Sequence, residues 1–273
     1  MNEDLNSQNL IEKMETVVIP AHLRDVEREY DVKILLAVES GSRAWGFESK
    51  NSDWDVRFIY IHKPQWYFKV EEQRDVIEHM YPDDVDLVGW ELRKALSLLT
   101  RSNPSLLEWF NSPKVYLVDE PFIRRIREVE RQFFDPVKAM YHYNHIYNKN
   151  NERYLQQEGY PAKRFLYYLR GILACKWIEN NKSLPPVPFK QLVDATVKDK
   201  AMVDKINELI LMKKGERECD MMAVDNLLVE YARGMCEYYN DCVNSFRPEQ
   251  KPARVETLDS ILYDMVMNQK NVL

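Results

Sequence analysis

Glycine is scarce here, with only 7 in 273 residues, and two of them, Gly41 and Gly46, share one short window, which favours special backbone geometry there. The four cysteines, Cys175, Cys219, Cys236 and Cys242, are scattered and form no C-x-x-C pair. That spacing points to neither a zinc site nor a disulfide framework, leaving them as small core residues. No apolar run approaches the roughly 18 residues of a membrane span, and Met1 to Glu15 is polar with no secretory apolar stretch, so a cytoplasmic protein without membrane contact is expected. An excess of positive charge is missing too: the net charge is −6. Extended DNA or RNA held through many phosphates is therefore disfavoured. A nucleotide, a small acceptor or a nucleic-acid end stays open, because a local cluster of arginines and lysines can act inside an acidic whole.

What is present is ordinary for a globular protein: 45% hydrophobic, 30% charged and 12% aromatic residues. That composition argues against disorder. The length allows about two domains and burial of roughly three-quarters of the unfolded surface.

Thr16 to Tyr30 reads as a helix, with Val17, Ile19, Leu23 and Val26 at helical spacing and Pro20 placing its start nearby. Strands follow at Ile34–Val38 and Trp54–Ile61. Asp75–Tyr81 and Val85–Gly89 are expected as an antiparallel pair around Pro82-Asp83-Asp84. Strand signals stop at Trp90. Glu91–Thr100 is amphipathic, and Ser102-Asn103-Pro104 caps a short helix through Phe110. Later segments read as helix: Tyr160–Asn180 carries Phe165, Leu166, Leu169, Leu173 and Trp177 in one stripe. Leu227, Tyr231, Met235, Tyr238, Cys242 and Phe246 form another, and Leu258, Ile261, Leu262 and Met265 a third. Pro185-Pro186-Val187-Pro188 marks a loop, and Arg247-Pro248 to Lys251-Pro252 a second break. The expectation is an α+β chain in two parts, a strand-rich front at 1–112 and a helical back at 113–273, with any active site between them.

Chemistry concentrates in Gly41-Ser42-Arg43-Ala44-Trp45-Gly46 and Ser52-Asp53-Trp54-Asp55-Val56-Arg57. A buried strand runs into a tight turn at Gly41, where backbone amides can approach a phosphate and the Ser42 hydroxyl can donate to one. On the next strand Asp53, Asp55 and Arg57 share one face while Trp54, Val56 and Phe58 take the other. Side-by-side carboxylates repel unless something positive neutralises them, and divalent cations carrying polyphosphate would do so. Asp53 and Asp55 can jointly ligate two magnesium ions about 3.5–4 Å apart, with manganese as an alternative. Asp86 is the candidate third acid, a second-metal ligand that helps deprotonate an acceptor hydroxyl. Its strand starts right after a turn and its neighbours look buried, whereas Asp83 and Asp84 read as turn residues. A one-residue slip in register would turn Asp86 away.

Gly-Ser, a short gap, Asp-x-Asp and a later Asp resemble the DNA polymerase beta nucleotidyltransferase superfamily. Within it, residues 39–47, 52–58 and 86–94 resemble the nucleotidyltransferases associated with RNA-repair operons. So do Ser102-Asn103-Pro104, Glu108-Trp109-Phe110, Ser112-Pro113 and the stretch Lys163 to Trp177. The resemblance implies a small mixed sheet flanked by helices, followed by a helical domain. It also implies two magnesium ions and transfer of a nucleoside monophosphate from a nucleoside triphosphate to a hydroxyl, with pyrophosphate leaving. No acceptor is implied: an RNA end, a small hydroxylated molecule and a protein side chain all stay open.

Arg57 either binds phosphate or pairs with the aspartates beside it, and Arg43 is placed to touch phosphate or acceptor. Lys163, Tyr167 and Arg170 lie on one helical face, as a nucleotide-facing surface or as a solvated rim. Helical domains of the superfamily often supply such a lysine and tyrosine. His142 and His145 lack acid or cysteine partners for a metal site and read as surface or packing residues. Two rivals come from other classes: a nucleotide-binding or interaction module without chemistry, and a metal-dependent phosphohydrolase using the same acids.

Overall fold

The computed structural model describes residues 2–154, 160–215, 221–222, 224–248 and 253–268. Cys219 and Lys251-Pro252 lie outside them. Helices α1 (Asn2–Lys13) and α2 (Ile19–Tyr30) are joined without a break by a π turn over Met14–Val18. The start expected near Pro20 is thus no start. Pro20 cannot donate to the Thr16 carbonyl and its ring would crowd it, so the turn widens, and the Ile19 N–H reaches the Met14 carbonyl five residues back.

Strand β1 (Val32–Glu39) leads into the single-turn helix α3 (Gly41–Trp45), and β2 (Trp54–His62) runs back beside β1. After a 3-10 turn at Pro64–Phe68, β3 (Val76–Met80) and β4 (Val85–Glu91) pair antiparallel across the expected turn, where Asp84 is left-handed. Helices α4 (Leu92–Thr100) and α5 (Pro104–Phe110) follow, capped by Glu91 and Asn103; the Asn103 side chain accepts from the Leu106 N–H. The cap reading of Ser102-Asn103-Pro104 describes what these residues do.

A strand then appears where none was expected: β5 (Val115–Val118) pairs antiparallel with β1. Its four residues are an edge strand with both ends exposed. It therefore lacks the apolar alternation that reveals a strand buried on one face. The sheet order is β3-β4-β2-β1-β5, antiparallel except for the parallel pair β2 and β4. On one face, α2 packs Ile19, Leu23 and Val26 against Val56, Phe58 and Leu87. On the other, α4, α5 and α6 (Glu120–Phe133) cover Leu35, Val38, Ile59 and Ile61.

The back half comprises α7 (Pro136–Tyr154), α8 (Ala162–Asn181), α9 (Phe189–Thr196), α10 (Lys200–Lys214) and α11 (Asn226–Cys242). Two short strands, β6 (Tyr160–Pro161) and β7 (Met221–Met222), pair beside them. The final helix α12 (Glu256–Met267) returns to the front core through Leu258, Ile261 and Val266. A division at residue 112 falls between α5 and β5, so β5, α6 and α12 follow it in sequence yet pack with the front.

On α8, Phe165, Leu166, Leu169 and Leu173 are buried as their spacing predicts. On α11 the buried stripe is Leu228, Ala232, Cys236 and Tyr239, while Leu227 and Tyr238 of the expected stripe are exposed. The small side chains at 232 and 236 let this helix approach α8 closely, and bulk alone points to the wrong face. Cys175 and Cys236 are buried free thiols and Cys242 is half-buried. No helix among the described residues is long and apolar enough to cross a membrane.

Candidate active site

Three chain segments meet at the end of the sheet where β1 stops and β2 and β4 begin. Burial along the start of β2 alternates strictly, placing Trp54, Val56 and Phe58 in the core and leaving Asp55 and Arg57 half-buried on the opposite face. The parallel register pairs Asp55 directly with Asp86, so the two carboxylates sit on neighbouring strands and on the same face. The slip that would have turned Asp86 away does not occur. Asp83, by contrast, accepts from His22 in the turn, at 2.9 Å.

Arg57 lies between the two acids. Its Nη2 donates to Asp55 Oδ1 at 2.9 Å and to Asp86 Oδ2 at 3.0 Å, and its Nη1 donates to the Asp86 carbonyl at 2.9 Å. Of the two roles open to this arginine, pairing is the one seen. Burial pushes the Asp55 carboxyl above its ordinary range; Arg57 and Lys163 pull it back, while Asp86 and Asp53 push it further up. Asp53 is exposed just ahead of β2 and within electrostatic reach of Asp55. Lys163, half-exposed near the start of α8, faces the same carboxylate.

Gly41 completes the corner. Its φ is +59°, and a Cβ there would lie 2.1 Å from Asp55 Oδ2. Only glycine leaves room for that carboxylate against the backbone. Gly46, with φ +85°, closes α3 through its N–H on the Ser42 carbonyl. Ser42 itself is buried at 5% exposure.

Two arginines are placed differently from expectation. Arg43 is buried, lying 3.8 Å over the Trp54 ring and donating to the carbonyls of Asp53 (3.0 Å) and Ser52 (2.6 Å). It braces the loop that presents Asp53 instead of facing a ligand. Arg170 is buried against Glu108, 3.0 Å away, and stacks 4.3 Å over Trp45. Tyr143 donates to the same Glu108 oxygen at 2.6 Å. A low-dielectric interior holds such a cation only when it is paired, so Arg170 locks α8 to α5. Tyr167 is half-buried between Trp45 and Phe47. Phe47 reaches from the front loop into the helical core, where it meets Phe189. His142 is half-buried, its pKa lowered by burial, and His145 is exposed.

Glu39 escaped the sequence reading. It is 0% exposed, accepts from the Asp55 N–H at 2.8 Å and also accepts from the Tyr116 hydroxyl. Burial pushes its carboxyl up to about 7, against the hydrogen bonds from Tyr116 and the Asp55 N–H. The one available signal was a lone acid ending an otherwise apolar strand, in Ile34 to Glu39. A native carboxyl that holds its proton above the unfolded range makes the native state bind more protons between about pH 4.5 and 7. Stability therefore falls as pH rises through that window. Glu39→Gln mimics the protonated form. In EDTA it should gain on the order of 2–3 kcal/mol relative to wild type between pH 5 and pH 8. Urea midpoints at both pH values check this, and parallel pH slopes in the two proteins would contradict it.

The acids are hard oxygen donors suited to magnesium or manganese. Among the described residues, no three histidine, cysteine, aspartate or glutamate side chains form a ready-made metal cluster, and Arg57 supplies the positive charge between two of them. Burial is the main cause that raises the Asp55 carboxyl, and Asp86 and Asp53 add to it, so a divalent cation beside Asp55 would relieve part of that cost. In that respect the donor set fits the ions.

The model of the RlaP family, described as an RNA repair pathway DNA polymerase beta family, matches residues 16–264. A Bacillus subtilis (strain 168) protein bearing the name uncharacterized protein YcgL is 38% identical over 244 residues, covering 89% of this chain and 94% of its own length. The crystal structure of a nucleotidyltransferase-like protein from Exiguobacterium sibiricum 255-15 aligns over 91% of this chain and 79% of that one, with 13% identity. Its TM-score of 0.33 is too loose a likeness to bear on the site.

Proposed function

This chain belongs to the RNA repair pathway DNA polymerase beta family, and on that premise we propose that it is a magnesium-dependent nucleotidyltransferase. It moves a nucleoside monophosphate from a nucleoside triphosphate to an acceptor hydroxyl and releases pyrophosphate. The observation that carries the proposal is the register of Asp55 with Asp86 beside a glycine whose missing side chain leaves space for the Asp55 carboxylate. Asp53, Asp55 and Asp86 would hold two magnesium ions, with manganese able to substitute. Bound there, the ions would neutralise the triphosphate and lower the pKa of the acceptor hydroxyl.

The protein's own groups have separate tasks. Gly41 and Ser42 form the corner against which the triphosphate lies, and Lys163 adds positive charge on the side facing Asp55. Arg57 holds two carboxylates in place before substrate arrives and is a charge-matched group for phosphate once they are engaged. Tyr167, one turn on from Lys163 along α8, would contribute to the same side. Asp86 would also help take the acceptor's proton. In-line attack at the α phosphorus needs little covalent chemistry from the protein, so positioning and charge neutralisation carry the rate.

An RNA end is the first acceptor to try, because the family description speaks of RNA repair. A net charge of −6 argues for an end over a long duplex. Triphosphate labelled at the α phosphorus, incubated with magnesium and RNA, small-molecule or protein acceptors, should place label on one acceptor with an equal amount of pyrophosphate. Label appearing only as free monophosphate would make the protein a phosphohydrolase. Nucleotide binding without turnover on any acceptor would make it a binding module. With an RNA end as acceptor, affinity should fall as salt rises, with a slope set by the few phosphates engaged, and a flat response would count against RNA.

A further inference from the structure

Lys213 lies in the last turn of α10, in the part of the chain where the sequence carries no recognisable motif. Its neighbours Leu211, Met212 and Lys214 are exposed, yet Lys213 is 0% exposed. Lysine is almost never fully buried without a polar partner, because desolvating its amino group is costly. Its Nζ donates to Ser52 Oγ at 2.8 Å, across 161 residues of sequence. Ser52 is the residue immediately before Asp53.

The same short segment is gripped elsewhere. Ser52 Oγ accepts from the Ser49 N–H at 3.0 Å, and the carbonyls of Ser52 and Asp53 accept from Arg43. Asp53 needs such bracing because it precedes β2, which begins at Trp54, so the sheet ladder does not fix its own backbone. Arg43 secures the carbonyls and Lys213 secures the preceding side chain. A small change in the backbone dihedrals of Ser52 or Asp53 would move the Asp53 carboxylate relative to Asp55, which its charge reaches. Groups that orient a metal ligand from behind commonly change metal affinity ten- to a hundredfold when removed.

We infer that Lys213 is a positioning residue for Asp53, acting through the Ser52 hydroxyl, so that helix α10 of the back half sets the geometry of the cation site in the front half. This rests on the metal-dependent reading above and assigns that site a contribution from the C-terminal segment.

The test is manganese binding to the full chain, followed by electron paramagnetic resonance, for wild type, Lys213→Met, Ser52→Ala and the double variant, with Asp53→Asn as reference. Lys213→Met should weaken manganese binding about tenfold while unfolding remains cooperative. Ser52→Ala should do the same, and the double variant should be no weaker than the worse single one. The magnesium concentration for half-maximal turnover should rise in Lys213→Met, with excess magnesium restoring kcat, a response that a merely structural lysine would not give. A folded Lys213→Met with wild-type manganese affinity would overturn the inference, as would full additivity with Ser52→Ala. If Lys213→Met does not fold, Ser52→Ala decides alone, and unchanged affinity there overturns it. Wild-type protein that binds no manganese sinks both this inference and the metal-dependent reading. Binding that needs Asp53 but ignores Lys213 and Ser52 sinks this inference only.

Discussion

Asp55→Asn should lower nucleotidyl transfer by roughly 10²–10⁴-fold while leaving the melting temperature nearly unchanged. The separation of the two effects follows from the surroundings of the carboxylate. Burial and the nearby Asp86 and Asp53 push its pKa up, so its charge is held at a cost, and asparagine keeps the shape while removing that cost. Arg57 keeps its bond to Asp86 at 3.0 Å, which leaves the guanidinium paired. A purely structural Asp55–Arg57 pair predicts the reverse, measurable destabilisation with activity intact. Turnover against denaturant midpoint for the one variant distinguishes the cases, and full activity in Asp55→Asn would contradict the assignment.

Gly41→Ala should be nearly as damaging by another route. The added methyl would stand 2.1 Å from Asp55 Oδ2, at a residue whose φ is +59°. Left-handed backbone alone costs a non-glycine residue about 1–2 kcal/mol, and the contact forces the carboxylate or the corner to move. A displacement of about 1 Å at a reacting centre can cost 10²-fold. Gly46→Ala is the matching control, since its φ is also positive, at +85°, and nothing lies within 4 Å of its Cβ position. Both variants should lose stability to the left-handed backbone, Gly41→Ala the more because of its contact with Asp55, but Gly41→Ala alone should lose activity by two orders of magnitude or more. Equal activities in the two would show that the closeness of residue 41 to Asp55 has no catalytic meaning.

The features legible in the sequence are those set by local pattern. Alternation along Trp54 to Phe58 puts Asp55 and Arg57 on one face, and the turn at Pro82 to Asp84 starts the strand that carries Asp86; the register that brings Asp86 opposite Asp55 comes from the pairing of β4 with β2. The first two depend on the period of a strand and the chemistry of a turn, both written in a few consecutive residues. The features that stayed hidden depend on partners far away in the chain. An arginine near a phosphate-shaped corner reads as a ligand for phosphate, but Arg43 is claimed by Trp54 and two carbonyls, and Arg170 by Glu108. Glu108 sits inside Glu108-Trp109-Phe110, where the aromatic neighbours draw attention to packing. Lys213 gives no local sign at all, since only the fold brings it to Ser52.

Secondary structure divides along the same line. Helices with a wide apolar stripe, such as α8, follow from spacing. Strand β5 does not, because pairing with β1, and not its own composition, makes it a strand. The inward face of α11 differs from the spacing of bulky residues for a related reason: the residues that permit close packing there are the small ones, Ala232 and Cys236.

The central claim is that the carboxylates of Asp53, Asp55 and Asp86 converge beside Gly41 to hold divalent cations and a nucleoside triphosphate. Crystals grown with manganese and a non-hydrolysable triphosphate, measured at the manganese absorption edge, test it most directly. Anomalous peaks are expected in contact with these carboxylates, with triphosphate oxygens on the same ions and Arg57 withdrawn from at least one aspartate. Manganese and triphosphate bound elsewhere, with Arg57 still bridging Asp55 and Asp86, would contradict it.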